Sequence, residues 1–283
     1  MIPKDLGTTT ENTWCPGCGN FSILSAAKSV LATLANEGRS LNDVVLVSGI
    51  GCHAKIVDYI NVNSFYSIHG RATPAAEGIK IGDPELTVIG FAGDGDAYGE
   101  GIEHLLFAAK RNINITMIIH DNRVYGLTTG QYTPTSPLGY KGRSTPKGST
   151  ELPFNPLELM LAAGATHVAR GYSHGLALLK KLFREAILHK GFSIVDVLQV
   201  CVTYFNEYDY YTKRVFEMED HDTTDFEAAM RRAREWDYNN DAPIALGTFY
   251  KKDAPCFDAQ FKNREEKSLD KSAAIERFLS ANK

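Results

Sequence analysis

LTVIGFAGDGDAYGEGIEHLLFAAKRNINITMIIHDN, residues 86–122, decides the fold. Leu86 to Ala92 is a continuous apolar run rich in β-formers, the pattern of a parallel strand buried on both faces. Gly93-Asp94-Gly95-Asp96 follows where such a strand must turn. Gly101 to Arg111 then has helical spacing, with Leu105, Leu106 and Ala109 on one face. Ile115 to Ile119 is a second buried strand. Together they form one βαβ unit. Its acidic, glycine-rich turn lies at the carboxyl end of the first strand, where open α/β sheets bind ligands.

Gly93 and Gly95 allow a ligand to approach the backbone closely. A dinucleotide fingerprint would read GxGxxG, with its acid further along for the ribose. Here Asp94 sits in the turn itself, where a carboxylate beside a diphosphate needs a cation between them. Mg²⁺ suits that place: it is a hard octahedral ion held by one or two protein oxygens plus phosphate. Asn122, ending the next strand, offers a second oxygen. GDG alone also fits an ordinary tight turn, but the spacing and the intervening βαβ pattern favour a ligand site. GDG, 26 residues, then Asn is similar to the diphosphate–Mg²⁺ motif of thiamine diphosphate (ThDP) enzymes. That resemblance implies Mg²⁺ ligation by Asp94, Asn122 and the backbone carbonyl of Val124.

The chain has 283 residues, enough for one large α/β domain or a domain with an extension. A net charge of −4 gives no reason to expect a nucleic-acid partner. The first residues lack an apolar signal core, and no apolar run approaches the roughly 20 residues that span a bilayer. The expectation is a cytoplasmic protein without a membrane segment. Five cysteines in such a chain point to metal or redox chemistry more than to disulfides.

Cys15-Pro16-Gly17-Cys18 is a short turn with two thiols aimed at one point. A helix is expected over Phe21 to Ala35, with Asn20 as its cap and its dipole favouring the Cys15 and Cys18 thiolates. Val44 to Ser48 reads as a strand that runs into Gly49-Ile50-Gly51-Cys52, and Ser193 to Val200 as another that ends at Cys201. Four cysteines thus converge at one sheet rim. Such a set suits structural Zn²⁺ or an iron–sulfur cluster, and spacing alone leaves the two comparable, with scattered core cysteines a weaker third reading.

WCPGCGN, SGIGC, HGR, GDGD and NRVYGLTTGQ occur here in the order found in β subunits of 2-oxoacid:ferredoxin oxidoreductases. The similarity runs from about Trp14 to Thr203. This resemblance implies that Cys15, Cys18, Cys52 and Cys201 bind a [4Fe–4S] cluster; Cys256 has no counterpart, and Val202 stands where relatives often have Pro. It implies that Gly51, His69, Gly93, Asp94, Gly95, Asp96, Asn122, Val124, Gly126, Leu127 and Thr128 contact ThDP, with Lys55, His69 and Arg71 as catalytic or substrate-contacting residues. Some relatives carry Lys where this chain has Thr129, a position suited to a second substrate carboxylate.

The implied reaction is oxidative decarboxylation of a 2-oxoacid, 2-oxoglutarate or pyruvate, to acyl-CoA and CO₂. Coenzyme A is the co-substrate, and electrons leave through the cluster to ferredoxin. The implied partner is an α subunit that brings the activating Glu and the coenzyme A site, in one αβ pair or two. The competing readings are a non-redox ThDP decarboxylase or carboligase with zinc, and a non-catalytic electron-transfer subunit.

Elsewhere, helices are expected over Ala75 to Ile81, Pro156 to Ala163, Gly175 to His189, Phe226 to Trp236 and Ser268 to Leu279. Strands are expected over His167 to Arg170 and Ile244 to Tyr250, with a long loop from Pro134 to Pro153. The expected class is α/β, a mainly parallel sheet flanked by helices. Residues 1–200 would form the diphosphate domain, and 201–283 a C-terminal extension packed on it and on the partner subunit.

Overall fold

The computed structural model describes residues 1–261 and 271–281. In chain order, α1 (Asn20–Asn36) leads to β1 (Val44–Ser48), a 3₁₀ stretch His53–Tyr59, β2 (Asn63–Tyr66) and α2 (Ala72–Gly82). Then come β3 (Thr87–Gly93), a π-type turn Gly95–Glu100, α3 (Ile102–Arg111) and β4 (Thr116–Asp121). A short hairpin follows, of β5 (Val124–Tyr125) and β6 (Gln131–Tyr132). The chain continues through α4 (Pro156–Ala162), β7 (His167–Tyr172), α5 (Leu176–Leu188) and β8 (Ser193–Leu198). It closes with α6 (Tyr208–Thr212), β9 (Val215–Glu217), α7 (Phe226–Glu235), β10 (Ile244–Lys251) and α8 (Lys271–Ala281). The part of the expected terminal helix at 268–270 lies outside the described residues.

One eight-stranded sheet has the order β2-β1-β3-β4-β8-β7-β10-β9. The strands from β2 through β7 in that order pair parallel. β10 runs antiparallel to β7, with β9 parallel to β10, so residues beyond Cys201 extend the same sheet. Strand side chains alternate between two cores, as a pleat buried on both faces requires. Ile89 and Phe91 of β3 and Ile118 of β4 join α1 and α5 in one core. Val88 and Ala92, with Met117 and Ile119, join α2, α3, α4 and α7 in the other.

Two local expectations are corrected. Asn20 does not cap α1: it is the first helical residue, Gly19 precedes it, and no side-chain cap is made. Its Oδ1 instead meets His120 Nδ1 at 2.8 Å, because burial between α1 and β4 offers a better partner than solvent-side N–H groups. The turn expected at Gly93-Asp94-Gly95-Asp96 is helical: Asp94 leads into the π-type turn Gly95–Glu100 that precedes α3. π-type turns are rare and concentrate at functional sites.

Candidate functional site

The strand order reverses between β1 and β3, and open α/β sheets bind ligands at the carboxyl ends of strands at such a switch point. A cavity of about 450 Å³ lies there. The loop after β1 supplies Gly51, Cys52 and His53, and β3 with its π-type turn supplies Gly93 through Asp96. The region after β4 supplies Asn122 and Val124 through Thr128, and His69 completes the wall. All the positions expected to contact the cofactor therefore surround one space.

Asp94 is fully buried, and its Oδ2 is 2.9 Å from Thr135 Oγ1. The same hydroxyl is 2.8 Å from Oδ1 of Asp121. Its single proton satisfies one of them at a time. Burial pushes the Asp94 carboxyl up to about 6, against the opposing bonds from Thr133 and Thr135. An oxygen site so poor in positive charge fits a hard divalent cation, and Asp94, Asn122 and Val124 are the cavity residues that would hold it.

Asp96 organises the opposite wall. Its Oδ1 accepts from the Gly70 N–H at 2.6 Å, and its Oδ2 lies 3.2 Å from His53 Nε2. His69 Nδ1 lies 3.8 Å from the same carboxylate. A Cβ on Gly49 would stand 1.9 Å from Asp96 Oδ2, so only glycine leaves room for this carboxylate. His53 is a pocket residue that no sequence motif singles out. Its one signal is its position directly after Cys52 at a strand end.

A second cavity, about 720 Å³, adjoins the first. Cys15, Cys18, Cys52 and Cys201 all line it. The two cavities share Cys52, Asn122, Gly126 and Leu127. A Cβ added to Gly126 would lie 3.7 Å from Cys52 Sγ and 3.9 Å from Cys201 Sγ, so a bare backbone separates the cofactor side from the sulfur side. Asn20 Nδ2 is buried in this wall without a partner, a donor placed to meet sulfur acceptors. Among the described residues, no three His, Cys, Asp or Glu side chains gather tightly enough for a single ion. Four thiols set around a space fit a polynuclear group, whereas lone zinc would require them to close in.

The expected helix-dipole activation of the thiols is overturned at Cys18. Burial, reinforced by Cys201, Cys52 and Cys15, pushes its thiol up to about 12 despite the backbone bond at Asn20. Cys52 is also raised, first by burial, while Lys55 partly opposes the shift. Cys18 and Cys52, raised first by burial and then by the neighbouring thiols, need a bound cation to become thiolates.

Two of the three expected catalytic residues stand elsewhere. Lys55 lines the sulfur cavity, not the cofactor cavity, and its Nζ donates to Thr13 Oγ1. Arg71 lines neither, because its guanidinium donates to the Gly70 and Glu100 carbonyls at 3.2 Å each. His69 stands in the cofactor cavity.

Residues 49–197 match the C-terminal TPP binding domain of the thiamine pyrophosphate enzymes, and residues 201–266 match the C-terminal region of the pyruvate ferredoxin oxidoreductase beta subunit. The 2-oxoacid:ferredoxin oxidoreductase subunit beta of Saccharolobus solfataricus is 45% identical over 213 residues, 74% of this chain and 69% of that protein. Subunit beta of 2-oxoacid:ferredoxin oxidoreductase 1 from Aeropyrum pernix is 41% identical over 257 residues, 86% of this chain and 79% of that protein. Among solved structures, the 2-oxoglutarate:ferredoxin oxidoreductase of Magnetococcus marinus superposes with a TM-score of 0.88 at 36% identity. It covers 98% of this chain and 95% of its own, and was solved with 2-oxoglutarate, coenzyme A and succinyl-CoA bound. A sheet whose switch point carries GDG and Asn122, walled by four cysteines and matched along nearly its whole length, leaves one conclusion: this chain belongs to the β subunits of the 2-oxoacid:ferredoxin oxidoreductases, enzymes of the ThDP-binding fold.

Proposed function

We propose that this chain, with an α subunit, catalyses coenzyme A-dependent oxidative decarboxylation of a 2-oxoacid, either 2-oxoglutarate or pyruvate. The products are an acyl-CoA and CO₂, and a pair of electrons passes to ferredoxin. The observation that carries the proposal is the shared wall: Cys52, Asn122, Gly126 and Leu127 face both the cofactor cavity and the four-cysteine cavity. When bound, ThDP supplies the nucleophilic carbon and electron sink for decarboxylation, and a [4Fe–4S] cluster supplies a one-electron acceptor beside it.

The chain's own residues hold and orient these groups. Asp94, Asn122 and the Val124 carbonyl hold Mg²⁺, while Gly93 and Gly95 let the backbone approach the diphosphate. Cys15, Cys18, Cys52 and Cys201 hold the cluster. Asp96 lies between His53 and His69, 3.2 Å from the first and 3.8 Å from the second, and places both rings at the cavity wall. His69 stands in the cofactor cavity, where it would contact the bound group or substrate, and Lys55 sits on the sulfur side. Arg71 is a strut between backbone carbonyls, and no catalytic role is assigned to it.

The residues lining the cofactor cavity include no Glu to activate the pyrimidine ring, which supports an α subunit as its source. Ile50 and Leu127 at the cavity rim are 41% and 50% exposed, apolar surface suited to that partner. We infer further that the segment after Cys201 packs on the α subunit, and that one or two αβ pairs assemble. Among the described residues, no helix is long and apolar enough to cross a membrane. We assign the complex to the cytoplasm.

The test is reduction of ferredoxin by the reconstituted αβ complex, offered 2-oxoglutarate, pyruvate and branched 2-oxoacids in turn. The expected result is coenzyme A-dependent reduction and a visible band that bleaches with substrate. A colourless complex that decarboxylates without reducing ferredoxin would establish the zinc-containing, non-redox alternative instead.

A further inference from the structure

Gln199 lies between the last residue of β8 and the cluster ligand Cys201, and it is 1% exposed. Its backbone N–H donates to the Asp121 carbonyl at 2.8 Å, which extends the β4–β8 ladder by one residue and fixes its Cα beside the end of β4. The side chain then spans the wall between the two cavities. Gln199 Nε2 donates to the Val200 carbonyl at 2.5 Å and to Cys18 Sγ at 3.5 Å. Gln199 Oε1 accepts from Asn122 Nδ2 at 2.9 Å.

These contacts fix two amide orientations that neither residue sets alone. A carbonyl only accepts, so the Gln199 group facing Val200 must be the amide nitrogen. Gln199 Oε1 therefore faces Asn122, and Asn122 must present its nitrogen there. The Asn122 oxygen is left on the opposite side, where it accepts from the Val124 N–H at 3.1 Å. That oxygen is the atom a cation requires.

Resting on the function proposed above, we propose that Gln199 is a positioning residue that couples the Mg²⁺–diphosphate site to the iron–sulfur site through the chain Asn122–Gln199–Cys18. A cation on Asn122 Oδ1 polarises its amide and makes Nδ2–H a stronger donor. The bond to Gln199 Oε1 strengthens, and Gln199 Nε2–H becomes a stronger donor to sulfur, as hydrogen bonds in series polarise one another. N–H···S bonds favour the more negative, reduced cluster, so the midpoint potential rises when the cofactor is in place. By reciprocity, reducing the cluster tightens Mg²⁺-dependent cofactor binding.

The experiment uses the reconstituted αβ complex. Cluster midpoint potential is measured by a spectroscopic redox titration with and without Mg²⁺–ThDP, and ThDP affinity by calorimetry. In the wild type, the potential is expected to be less negative with Mg²⁺–ThDP bound. Gln199→Met, which removes both arms at similar volume, is expected to lower the potential, abolish its dependence on cofactor and weaken Mg²⁺-dependent binding about tenfold. Gln199→Glu keeps the acceptor for Asn122 and loses the donor to Cys18. It is expected to retain cofactor binding while the potential no longer responds to it, and it serves where the Met variant fails to load its cluster. An equal cofactor-induced shift in wild type and variants, or no shift in a fully loaded wild type, overturns the coupling. A wild-type complex that binds no ThDP or shows no cluster signal overturns the underlying functional reading as well.

Discussion

Thr135 shows how much a single hydroxyl can decide. Its Oγ1 sits between Asp94 Oδ2 and Asp121 Oδ1, and its carbonyl accepts from Arg123 Nε at 2.7 Å, so its own position is held from behind. Partners that orient a metal ligand typically contribute 10–100-fold in metal affinity. Thr135→Val is therefore expected to weaken Mg²⁺-dependent ThDP binding by roughly 10–100-fold, and Thr135→Ser to restore it, as titration calorimetry would measure. Asp94 adds a pH dependence. Its carboxyl is raised from 3.8 to about 6, so a proton competes with Mg²⁺ below that pH and cofactor affinity should fall as pH drops through 6. Without metal, the same shift favours the folded state below 3.8, and that contribution is lost as pH rises through about 6. Added Mg²⁺ should therefore raise the melting temperature more at pH 7 than at pH 5. Asp94, Asn122 and the cysteines were legible because short motifs carry them. Thr135, His53 and Gln199 were not, because their neighbours come from other strands.

Among elements, the run from Trp236 to Tyr238 ties the segment after Cys201 to the sheet beneath the site. Tyr238 Oη donates to Asp196 Oδ2 at 2.6 Å, and Tyr98 Oη, from the π-type turn, donates to Asp196 Oδ1 at 2.7 Å. One buried carboxylate of β8 thus joins the GDG turn to the C-terminal extension. Tyr238→Phe would leave Asp196 short of a donor in a fully buried place, at an expected cost of about 1–3 kcal/mol in chemical denaturation. Tyr98→Phe is expected to act in the same direction. The helices and most strands were legible from periodicity. β2 was not: Asn63 to Tyr66 has four exposed residues and no apolar alternation, and it becomes a strand by pairing with β1. The π-type turn was hidden for a similar reason, since the contacts that hold Asp96 come from Gly70 and His53.

For the whole molecule, two buried histidines outside the two cavities contribute to stability against acid. His167 on β7 is fully buried with neither ring nitrogen partnered. Burial, aided by His189 and Lys251, pushes it from 6.5 down to about 3. His189 is lowered to about 4, chiefly by burial. Unfolding frees both to take up protons at the ordinary pH. Their contribution is therefore complete above about 6.5 and is lost as pH falls toward 4 and then 3. Denaturant midpoints should drop steadily across that window, and His167→Phe should flatten the slope. A slope unchanged by that substitution would assign the acid sensitivity to other groups.

Although their diphosphate, cation and cluster roles were implied only by family resemblance, spacing within the chain was enough to settle the α/β class and to mark the GDG turn, Asn122 and the four cysteines. Each of these is written in a run of residues close in sequence, or at the end of a recognisable strand. Tertiary structure alone decided that Asn122 and Gly126 belong to both cavities, that Arg71 is tied to backbone carbonyls, and that Gln199 bridges Asn122 to a cysteine. Those relations depend on strand order and register, which bring together side chains far apart along the chain, and no local pattern of residue types encodes them.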